Sequence, residues 1–245
     1  MVHAVDIVGY GRLGRALHQL FLSKGVQVRR IYSQTQVGER FAPRESWLSD
    51  THLAPFVFLA MPDDQLAVQL AKRSASDSLF IQCSGNCERL VSTTLSTAVW
   101  YPLQSFSDGR APSWETIPIL IETPSQTLLT WTLELGLRAQ EMGAEERRIL
   151  HLAAVWANNF GQVVMGMAAE LCRTHRIDPQ ILNTLLVETL SKALALPGSE
   201  AQTGPARRGD IQTQRDHLEL MQHDASMQVL YKQLSLFIRD RYGSE

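Results

Sequence analysis

A glycine-rich turn at residues 9–14, Gly-Tyr-Gly-Arg-Leu-Gly, constrains the fold of this chain more than any other feature. The apolar run Val5–Val8 directly precedes it and predicts a strand buried in a parallel sheet. After the first glycines, Leu13, Leu17 and Leu20 recur at the spacing of one helix face. A strand, a turn of this kind and a helix, in this order, indicate the first unit of a Rossmann-like, doubly wound sheet.

Each glycine of this turn has a physical task when a dinucleotide binds. Gly9 allows the tight turn, Gly11 lets a pyrophosphate approach the backbone, and Gly14 lets the helix pack closely on the strand. The first turn of the helix offers its unpaired N–H groups and its positive dipole end to the phosphates. The alternative is a strand–turn–helix that binds no ligand. The predicted cofactor contacts here are Gly9, Tyr10, Gly11, Arg12, Leu13 and Gly14.

The end of the second predicted strand bears on which dinucleotide binds. Enzymes that use NAD place an acidic residue there, which binds the ribose 2′-hydroxyl. This chain has Tyr32-Ser33-Gln34-Thr35 at that point, without a carboxylate. Ser33, Gln34 and Arg12 suit a 2′-phosphate, so NADP(H) is favoured over NAD(H). The alternative is that this stretch is only a solvated loop.

Strands and helices alternate over the first part of the chain, as expected for βαβ units in a mostly parallel sheet. The sequence therefore predicts an α/β protein with a Rossmann-like dinucleotide-binding domain over residues 1–143. An all-α domain for substrate binding and dimerisation is predicted over residues 144–245. The predicted strands are Val5–Val8, Val26–Tyr32, Phe56–Ala60, Leu79–Cys83, Ala98–Tyr101 and Ile117–Ile121. The long helices predicted after them are Ile149–Cys172, Pro179–Leu196, Ile211–Gln222 and Ala225–Arg239.

Several polar or flexible residues follow predicted strands, and open α/β sheets bind their ligands beyond the carboxyl ends of strands. Met61-Pro62 follows the third predicted strand and Ser84-Gly85 follows the fourth. We predict that these residues contact the cofactor, with Ser84 at the nicotinamide ribose or at the substrate. A structural turn is the alternative. Gln104-Ser105 follows the fifth strand and is predicted to bind substrate.

The helix predicted over Ile149–Cys172 carries a polar stripe on an apolar background. At about 100° per residue, His151, Asn158 and Gln162 fall within an arc of roughly 40°. Buried polar groups need partners, and a ligand would be one. His151, Asn158 and the flanking Asn159 are therefore predicted catalytic residues, with His151 as acid or base. Gln162 is a predicted substrate contact. The alternative is a hydrogen-bond network between helices.

A second polar cluster, Thr203-Gly204-Pro205-Ala206-Arg207-Arg208-Gly209-Asp210, comes before a predicted helix. Two arginines just before a helix begins are unfavourable for its dipole, unless an anion binds there. Arg208 is predicted to hold a substrate carboxylate through two hydrogen bonds and so to take part in catalysis. A solvated turn capped by Asp210 is the alternative. The residues predicted to contact substrate beside Arg208 are Thr203, Gly204 and His217.

Composition narrows the classes of partner. The net charge is −2 and no basic run exceeds two residues, so nothing favours a nucleic acid. Cys83, Cys87 and Cys172 lack the spacing of a redox pair or zinc site, so we expect free thiols and no metal. The apolar start is too short for a signal peptide, and polar residues interrupt the most apolar helix. We expect a cytoplasmic protein that does not enter a membrane.

Further motifs run along nearly the whole chain. They are Met61-Pro62-Asp63-Asp64, Cys83-Ser84-Gly85, Tyr101–Phe106, His151–Ala154, Asn158-Asn159-Phe160, Thr203–Asp210 and His217-Leu218. Together with the glycine turn they resemble the DUF2520 family of NADP-dependent oxidoreductases, in which a helical domain of unknown function follows a Rossmann-like domain. More distantly, the architecture is similar to pyrroline-5-carboxylate reductase, ketopantoate reductase and the β-hydroxyacid dehydrogenases.

This resemblance implies a cofactor on the first domain, substrate at the cleft and a homodimer built from the C-terminal helices. The implied reaction is hydride transfer from NADPH to a small, carboxylated carbonyl or imine compound, with ketopantoate as one candidate. Several of the related dehydrogenases carry a general-acid lysine one helical turn before an asparagine on the first interdomain helix. If Asn159 matches that asparagine, Val155 stands at the lysine's position. The alternative function is therefore an NADP(H)-binding sensor without turnover.

Overall fold

The structure, a computed structural model, describes residues 2–34 and 38–243. In these residues, eight strands form one sheet. The strands are β1 Ala4–Val8, β2 Gln27–Ser33, β3 Phe41–Pro43, β4 Phe56–Leu59, β5 Ser76–Gln82, β6 Leu95–Pro102, β7 Pro118–Glu122 and β8 Arg138–Glu141.

The strand order places a crevice beside β1. The order is β3-β2-β1-β4-β5-β6-β7-β8, and all neighbours are parallel except β6 and β7. The chain leaves β1 toward β2 and β3, then returns to the other side of β1 as β4. Ligands of doubly wound sheets bind at such a reversal, beyond the carboxyl ends of the strands.

The α-helices of the described residues follow the strands and then fill the second half of the chain. They are α1 Arg12–Ser23, α2 Asp63–Ala71, α3 Gln126–Glu134, α4 Ala144–Ala154, α5 Gly161–Thr174, α6 Asn183–Ala195, α7 Gly198–Ala201, α8 Pro205–Arg208, α9 Ile211–Leu220 and α10 Ala225–Tyr242. A π-helical stretch, Val155–Phe160, joins α4 to α5. Short 3₁₀ turns lie at Arg44–Leu48, Trp114–Thr116 and Pro179–Leu182. The predicted fold class, a Rossmann-like mostly parallel sheet followed by helices, is confirmed.

Both faces of the sheet are buried. In β4, Phe56 and Phe58 belong to one hydrophobic cluster and Val57 and Leu59 to the other, because successive strand residues point to opposite faces. The first cluster includes α1 and α3, and the second includes α2 and Trp47. Burial on both sides is the reason that the strands read as continuous apolar runs in the sequence.

Asp6 is a fully buried carboxylate in the middle of β1. It accepts hydrogen bonds from the side chain of Arg29 at 3.1 Å and from the backbone N–H of Arg30 at 3.0 Å. A third bond, 2.7 Å long, comes from the backbone N–H of Ala54, just before β4. One side chain thus joins β1 to both of its neighbours in the sheet.

The chain divides into two compact units, residues 1–159 and 160–245. The first holds the sheet with α1–α4, and the second holds α5–α10. The boundary drawn from the sequence at residue 143 marks the end of the strands, since β8 ends at Glu141. In the described part of the chain, no helix combines the length and apolar character needed to span a membrane.

The helix predicted over Ile149–Cys172 is wrong in two respects. It begins earlier, at Ala144, and the π-helical stretch interrupts it before α5. A π-helix has more residues per turn than an α-helix, so side chains after it no longer follow the 100° step. The arc that placed Gln162 in line with His151 therefore does not hold.

Strands β3 and β8 were not predicted from the sequence. β3 is three residues long and ends in Pro43, and β8 has the polar sequence Arg-Ala-Gln-Glu. Both lie at the edges of the sheet, where a strand has only one neighbour and needs no buried apolar run.

Replacing Asp6 tests its role in joining the strands. Asp6→Ala leaves two backbone N–H groups and the Arg29 guanidinium without this acceptor. We expect the free energy of unfolding, measured by urea titration, to fall by about 3 kcal/mol. Asp77→Ala, an exposed carboxylate on β5, is the matched control and should change it by less than about 0.5 kcal/mol. Equal stability of the two variants would contradict the assignment.

Candidate functional site

Two glycines of the turn are required by the protein itself. Gly9 has φ +98°, and a Cβ there would lie 2.1 Å from the carbonyl oxygen of Ala60 at the end of β4. A Cβ on Gly14 would lie 2.2 Å from the carbonyl oxygen of Gly9. At this point the start of α1 approaches the ends of β1 and β4 so closely that a side chain on either glycine would collide with backbone.

Gly11 has no such requirement. A Cβ there would meet no heavy atom within 4 Å, and its φ of −73° is open to any residue. Gly11 is exposed and is the N-cap of α1, where no side chain caps the helix. The space beside Gly11 and the N–H groups of the first turn suit a phosphate that approaches the backbone.

The other residues of the turn have partners within the first unit. The Tyr10 hydroxyl is 2.8 Å from Nδ1 of His18, and Leu13 packs against the core. The Arg12 side chain is exposed and lies 3.6 Å from the carboxylate of Asp108, in the segment after β6. Burial raises the pKa of Tyr10, which keeps the phenol neutral.

The end of β2 carries no carboxylate among its described residues. Ser33 is buried at the last position of β2, and Gln34 follows it on the surface. Thr35 lies outside the described residues. Arg40, which sequence reasoning missed, is close by, because its carbonyl accepts a hydrogen bond from the N–H of Ile31 in β2. The segment before β3 thus places a basic residue, Arg40, near the end of β2.

The ends of β4 and β5 form a connected pair of turns. Met61 follows β4, and Pro62 is the N-cap of α2. The Ser84 hydroxyl donates to the carboxylate of Asp63 at 2.8 Å and accepts from the backbone N–H of Cys87 at 2.9 Å. Ser84 therefore holds the turn after β5 against the start of α2, whichever ligand binds there.

The end of β6 brings a tyrosine to the same edge of the sheet. The Tyr101 hydroxyl lies 3.0 Å from Nδ1 of His151 on α4, and the two rings meet edge to face. A Cβ on Gly85 would lie 2.6 Å from Cζ of Tyr101 and 2.7 Å from Nδ1 of His151. The missing side chain of Gly85 therefore leaves room for this pair.

α4 is fixed one turn before His151. Arg147, fully buried, donates to the carboxylate of Glu122 at the end of β7 and to the carbonyl of Cys87, both at 2.6 Å. Residues four apart lie on the same face of a helix. The bonds of Arg147 thus also set the position of His151.

A cavity of about 560 Å³ opens beside the Tyr101–His151 pair. Its lining includes Gln104 and Ser105 from the segment after β6, and Asn158 and Asn159 from the π-helical stretch. The structure therefore brings five predicted site residues together, with Tyr101 added: His151, Asn158, Asn159, Gln104 and Ser105.

The cavity has few charged groups. Tyr101 and His151 are the only titratable residues among its described lining, which contains no lysine or arginine. Burial and then the nearby carboxylate of Asp63 raise the pKa of Tyr101. Val155, the residue compared with the general-acid lysine of related dehydrogenases, is part of the lining. The cavity thus offers amides, hydroxyls and one phenol–imidazole pair.

The remaining predicted residues lie in the second unit. Gln162 is exposed on α5, and the imidazole Nδ1 of His217 on α9 is 2.9 Å from the Tyr231 hydroxyl. Thr203 is exposed, and Gly204, at φ +103°, is the N-cap of α8. Their contact with substrate stays a prediction.

The two arginines lie just before α9, as predicted, and at the same time end the short helix α8. Arg207 and Arg208 end the short helix α8, with Gly209 after them in the left-handed conformation. Positive charge is favourable at the end of α8 and unfavourable before the start of α9, so contact of Arg208 with an anion stays a prediction. Asp210 caps α9 through the N–H of Thr213, which holds the pKa of Asp210 below its usual range.

Sequence reasoning missed Tyr101, Asp63 and Arg40. Tyr101 and Asp63 belonged to motifs that had been noticed, but nothing local shows that β6 and α4 bring Tyr101 to His151. The only available signal was that Tyr101 stands at the carboxyl end of a strand, where ligands of such sheets bind.

Comparison with known proteins supports the resemblance stated from the sequence. Residues 117–238 match the DUF2520 family, described as a domain of unknown function. No curated protein matches the chain. The match covers β7, β8 and the helices up to α10, so it includes His151, Asn158 and Asn159 of the cavity.

Solved structures share the whole fold. A Bacteroides fragilis protein provisionally named an NADP oxidoreductase is 26% identical, with a TM-score of 0.88 over 98% of this chain and 99% of that one. A reductive aminase from Aspergillus terreus, in complex with NADPH, is 15% identical, with a TM-score of 0.71 over 99% and 96%. Pyrroline carboxylate reductase from Plasmodium falciparum, with NADP bound, is 9% identical, with a TM-score of 0.59 over 99% and 98%. At such low sequence identity, the last two structures show only that the fold is shared.

The glycines of the turn predict opposite effects on stability. Gly14→Ser places a Cβ against the Gly9 carbonyl, so the free energy of unfolding should fall by about 1–3 kcal/mol. Gly11→Ser meets no protein atom and adds a good N-cap, so stability should stay within about 0.5 kcal/mol or rise. Urea unfolding measures both, and a large loss in Gly11→Ser would show that the protein itself requires that glycine.

Proposed function

We propose, from the premise that this chain carries the DUF2520 domain behind a Rossmann-like sheet, that it is an NADP(H)-dependent oxidoreductase. Its substrate would be a small carbonyl or imine compound that carries a carboxylate. NADPH, when bound, supplies a hydride for such a reduction. The chain's own residues hold the cofactor, shape the substrate cavity and move the proton.

The geometry of Gly11 carries the proposal. The protein gives a steric reason for Gly9 and Gly14 but none for Gly11, which borders open space at an uncapped helix start. A pyrophosphate that comes close to the backbone explains this glycine. The residues that would hold the dinucleotide are those of the turn together with Met61, Pro62, Ser84 and Gly85.

The preference for NADP(H) rests on the end of β2. The described residues there offer the Ser33 and Gln34 side chains and no carboxylate, and Arg40 adds a positive charge nearby. Asp50, a carboxylate that contacts the end of β2, is already bound to Arg30 and Tyr32, both at 2.7 Å. A 2′-phosphate therefore meets hydroxyl, amide and cationic groups at this position.

The cavity at the ends of β6 and α4 suits a small, weakly charged reacting group. Asn158, Asn159 and Gln104 offer amide donors that polarise a carbonyl or imine. Arg208, in the second unit, stays the proposed contact for a substrate carboxylate. Its test is a rise in KM in Arg208→Ala for a carboxylated substrate but not for an uncharged one.

A second candidate is an NADP(H)-binding sensor without turnover. The observation that favours it is Val155, an apolar residue in the cavity lining where related dehydrogenases carry a lysine. Both candidates bind the cofactor, but only the oxidoreductase consumes it.

Cofactor binding and turnover test the proposal in order. We expect the wild-type protein to bind NADPH more tightly than NADH, measured by quenching of tryptophan fluorescence. Gly11→Ser should weaken NADPH binding by about tenfold or more, which equals roughly 1.4 kcal/mol, because its side chain occupies the phosphate's place. Loss of NADPH absorbance with ketopantoate, 1-pyrroline, or cyclohexanone plus allyl amine then measures turnover.

The outcomes separate the candidates. Absence of binding to either cofactor would exclude both functions, and equal binding would remove only the preference for NADP(H). Binding without turnover on the whole panel would favour the sensor. Asp77→Ala, which changes an exposed residue of β5, is the control and should leave cofactor affinity unchanged.

We also propose that the chain forms a homodimer through the second unit. On α6, Leu185, Val187, Leu190 and Leu194 are 61–82% exposed. α5 and α10 expose further large apolar side chains, among them Met165 and Phe237. An apolar surface of this kind marks a protein interface.

A second copy is the partner that this surface fits. α6 carries only two charged residues, Glu188 and Lys192, and they pair with each other at 3.1 Å. The surface therefore holds no net charge that would select a charged partner, and an identical apolar face is complementary to it.

Charges on α6 test the dimer. We expect Leu190→Glu combined with Leu194→Glu to convert a dimer into a monomer or to reduce its association strongly, because carboxylates are costly to bury. Sedimentation velocity measures the change. Ser74→Glu adds a carboxylate at an exposed polar position of the first unit and should leave the dimer intact. A monomeric wild-type protein would contradict this proposal.

A further inference from the structure

We infer that the Tyr101 hydroxyl is the proton donor of the proposed reduction and that His151 returns the proton to it. This inference rests on the proposed function and names the acid that it needs. It places the donor on β6, not on the helix where the related dehydrogenases carry their lysine.

The position of Tyr101 is the first support. It stands at the carboxyl end of β6, the edge of the sheet at which β1 gives the glycine turn and β5 gives Ser84. Its side chain lines the 560 Å³ cavity together with Gln104, Asn158 and Asn159. A substrate in that cavity would touch the phenol directly.

The other groups of the cavity do not replace it. Amides of Gln104, Asn158 and Asn159 donate hydrogen bonds but do not give up a proton at neutral pH. Among the described lining residues, only Tyr101 and His151 titrate. Of these two, Tyr101 has its pKa raised by burial and by the Asp63 carboxylate, so the phenol carries a proton at neutral pH.

His151 connects the phenol to a second cavity. Besides the cavity that it shares with Tyr101, His151 lines another of about 640 Å³ with Asp63, Asn86, Glu145 and Arg148. Those four side chains are exposed, so this second cavity is open to water. The imidazole therefore contacts both the phenol and a second, water-accessible cavity, as a proton relay requires.

The step balances in atoms and electrons. A hydride adds to the carbonyl or imine carbon, and the π pair moves to the oxygen or nitrogen. The O–H bond of Tyr101 breaks and its proton forms the new O–H or N–H bond of the product. Nδ1 of His151 then gives its proton to the phenolate, while Nε2 takes one from water in the second cavity.

Gly85 is explained by the same pair. A methyl group there would lie 2.6 Å from the Tyr101 ring and 2.7 Å from the imidazole, so it would push phenol and imidazole apart. Arg147 holds α4 one turn earlier, which makes it a positioning residue for His151.

Tyr101→Phe tests the donor, because it removes the hydroxyl and keeps the ring. We expect turnover with a substrate of the panel to fall about 100-fold to 10,000-fold, as for loss of a general acid. NADPH affinity, measured by fluorescence, should change less than about threefold, since the ring still fills its place. Tyr242→Phe, which removes a phenol hydroxyl near Gly198 in the second unit, should leave turnover unchanged.

A second readout does not depend on turnover. NMR of tyrosine isotope-labelled at Cζ follows the ionisation of each phenol, and Tyr101→Phe identifies the Tyr101 signal. The groups that face this phenol are His151 from α4 and Asp63 from α2. We expect the Tyr101 transition to shift to lower pH in the NADP⁺ complex relative to the NADPH complex, because the oxidised ring is positively charged.

The outcomes distinguish this inference from the proposed function. If neither cofactor binds, the proposed function and the inference fall together. If the cofactor binds but the Tyr101 transition is the same in both complexes, or Tyr101→Phe turns over at the wild-type rate, only the inference is overturned. Loss of turnover together with the shift supports Tyr101 as the catalytic acid.

Discussion

The contact of Gly9 with the end of β4 is the constraint on which the rest of the first unit depends. A side chain at Gly9 would lie 2.1 Å from the carbonyl of Ala60, and one at Gly14 would lie 2.2 Å from the carbonyl of Gly9. At the turn, the start of α1 and the ends of β1 and β4 therefore approach each other with no room for a side chain on either glycine. This close packing sets the start of α1 at the sheet edge where Ser84 follows β5 and Tyr101 stands near the end of β6.

A buried arginine sets the other side of the site at a cost in free energy. Arg147 is fully buried, and Glu122 and the Cys87 carbonyl offset the loss of its hydration. Such a pair contributes little to stability, but it fixes one helix at one position. Here the helix is α4, and one turn later it carries His151 to within 3.0 Å of Tyr101.

Local patterns predicted the fold well, because buried parallel strands and glycine turns leave their mark on neighbouring residues. The turn at residues 9–14, the central strands and the order of elements all follow from spacing. Contacts between residues far apart in the sequence could not be predicted from local patterns. Tyr101 and His151 are fifty residues apart, and the π-helical stretch and the short helix ending in Arg208 depend on packing that no local pattern records.

The apolar Val155 and the Tyr101–His151 pair line the same cavity. The proposed reduction would need a proton at the atom that receives the electron pair, wherever the donor is attached. Val155 lines the cavity as an apolar residue, while β6 and α4 bring a phenol and an imidazole to the same cavity. Since a neutral phenol is easier to bury than an ammonium group, a cavity lined by few charges favours this donor. If Asn159 matches the asparagine of the related dehydrogenases, a proton donor on the sheet would allow an apolar residue, Val155, at the lysine's position.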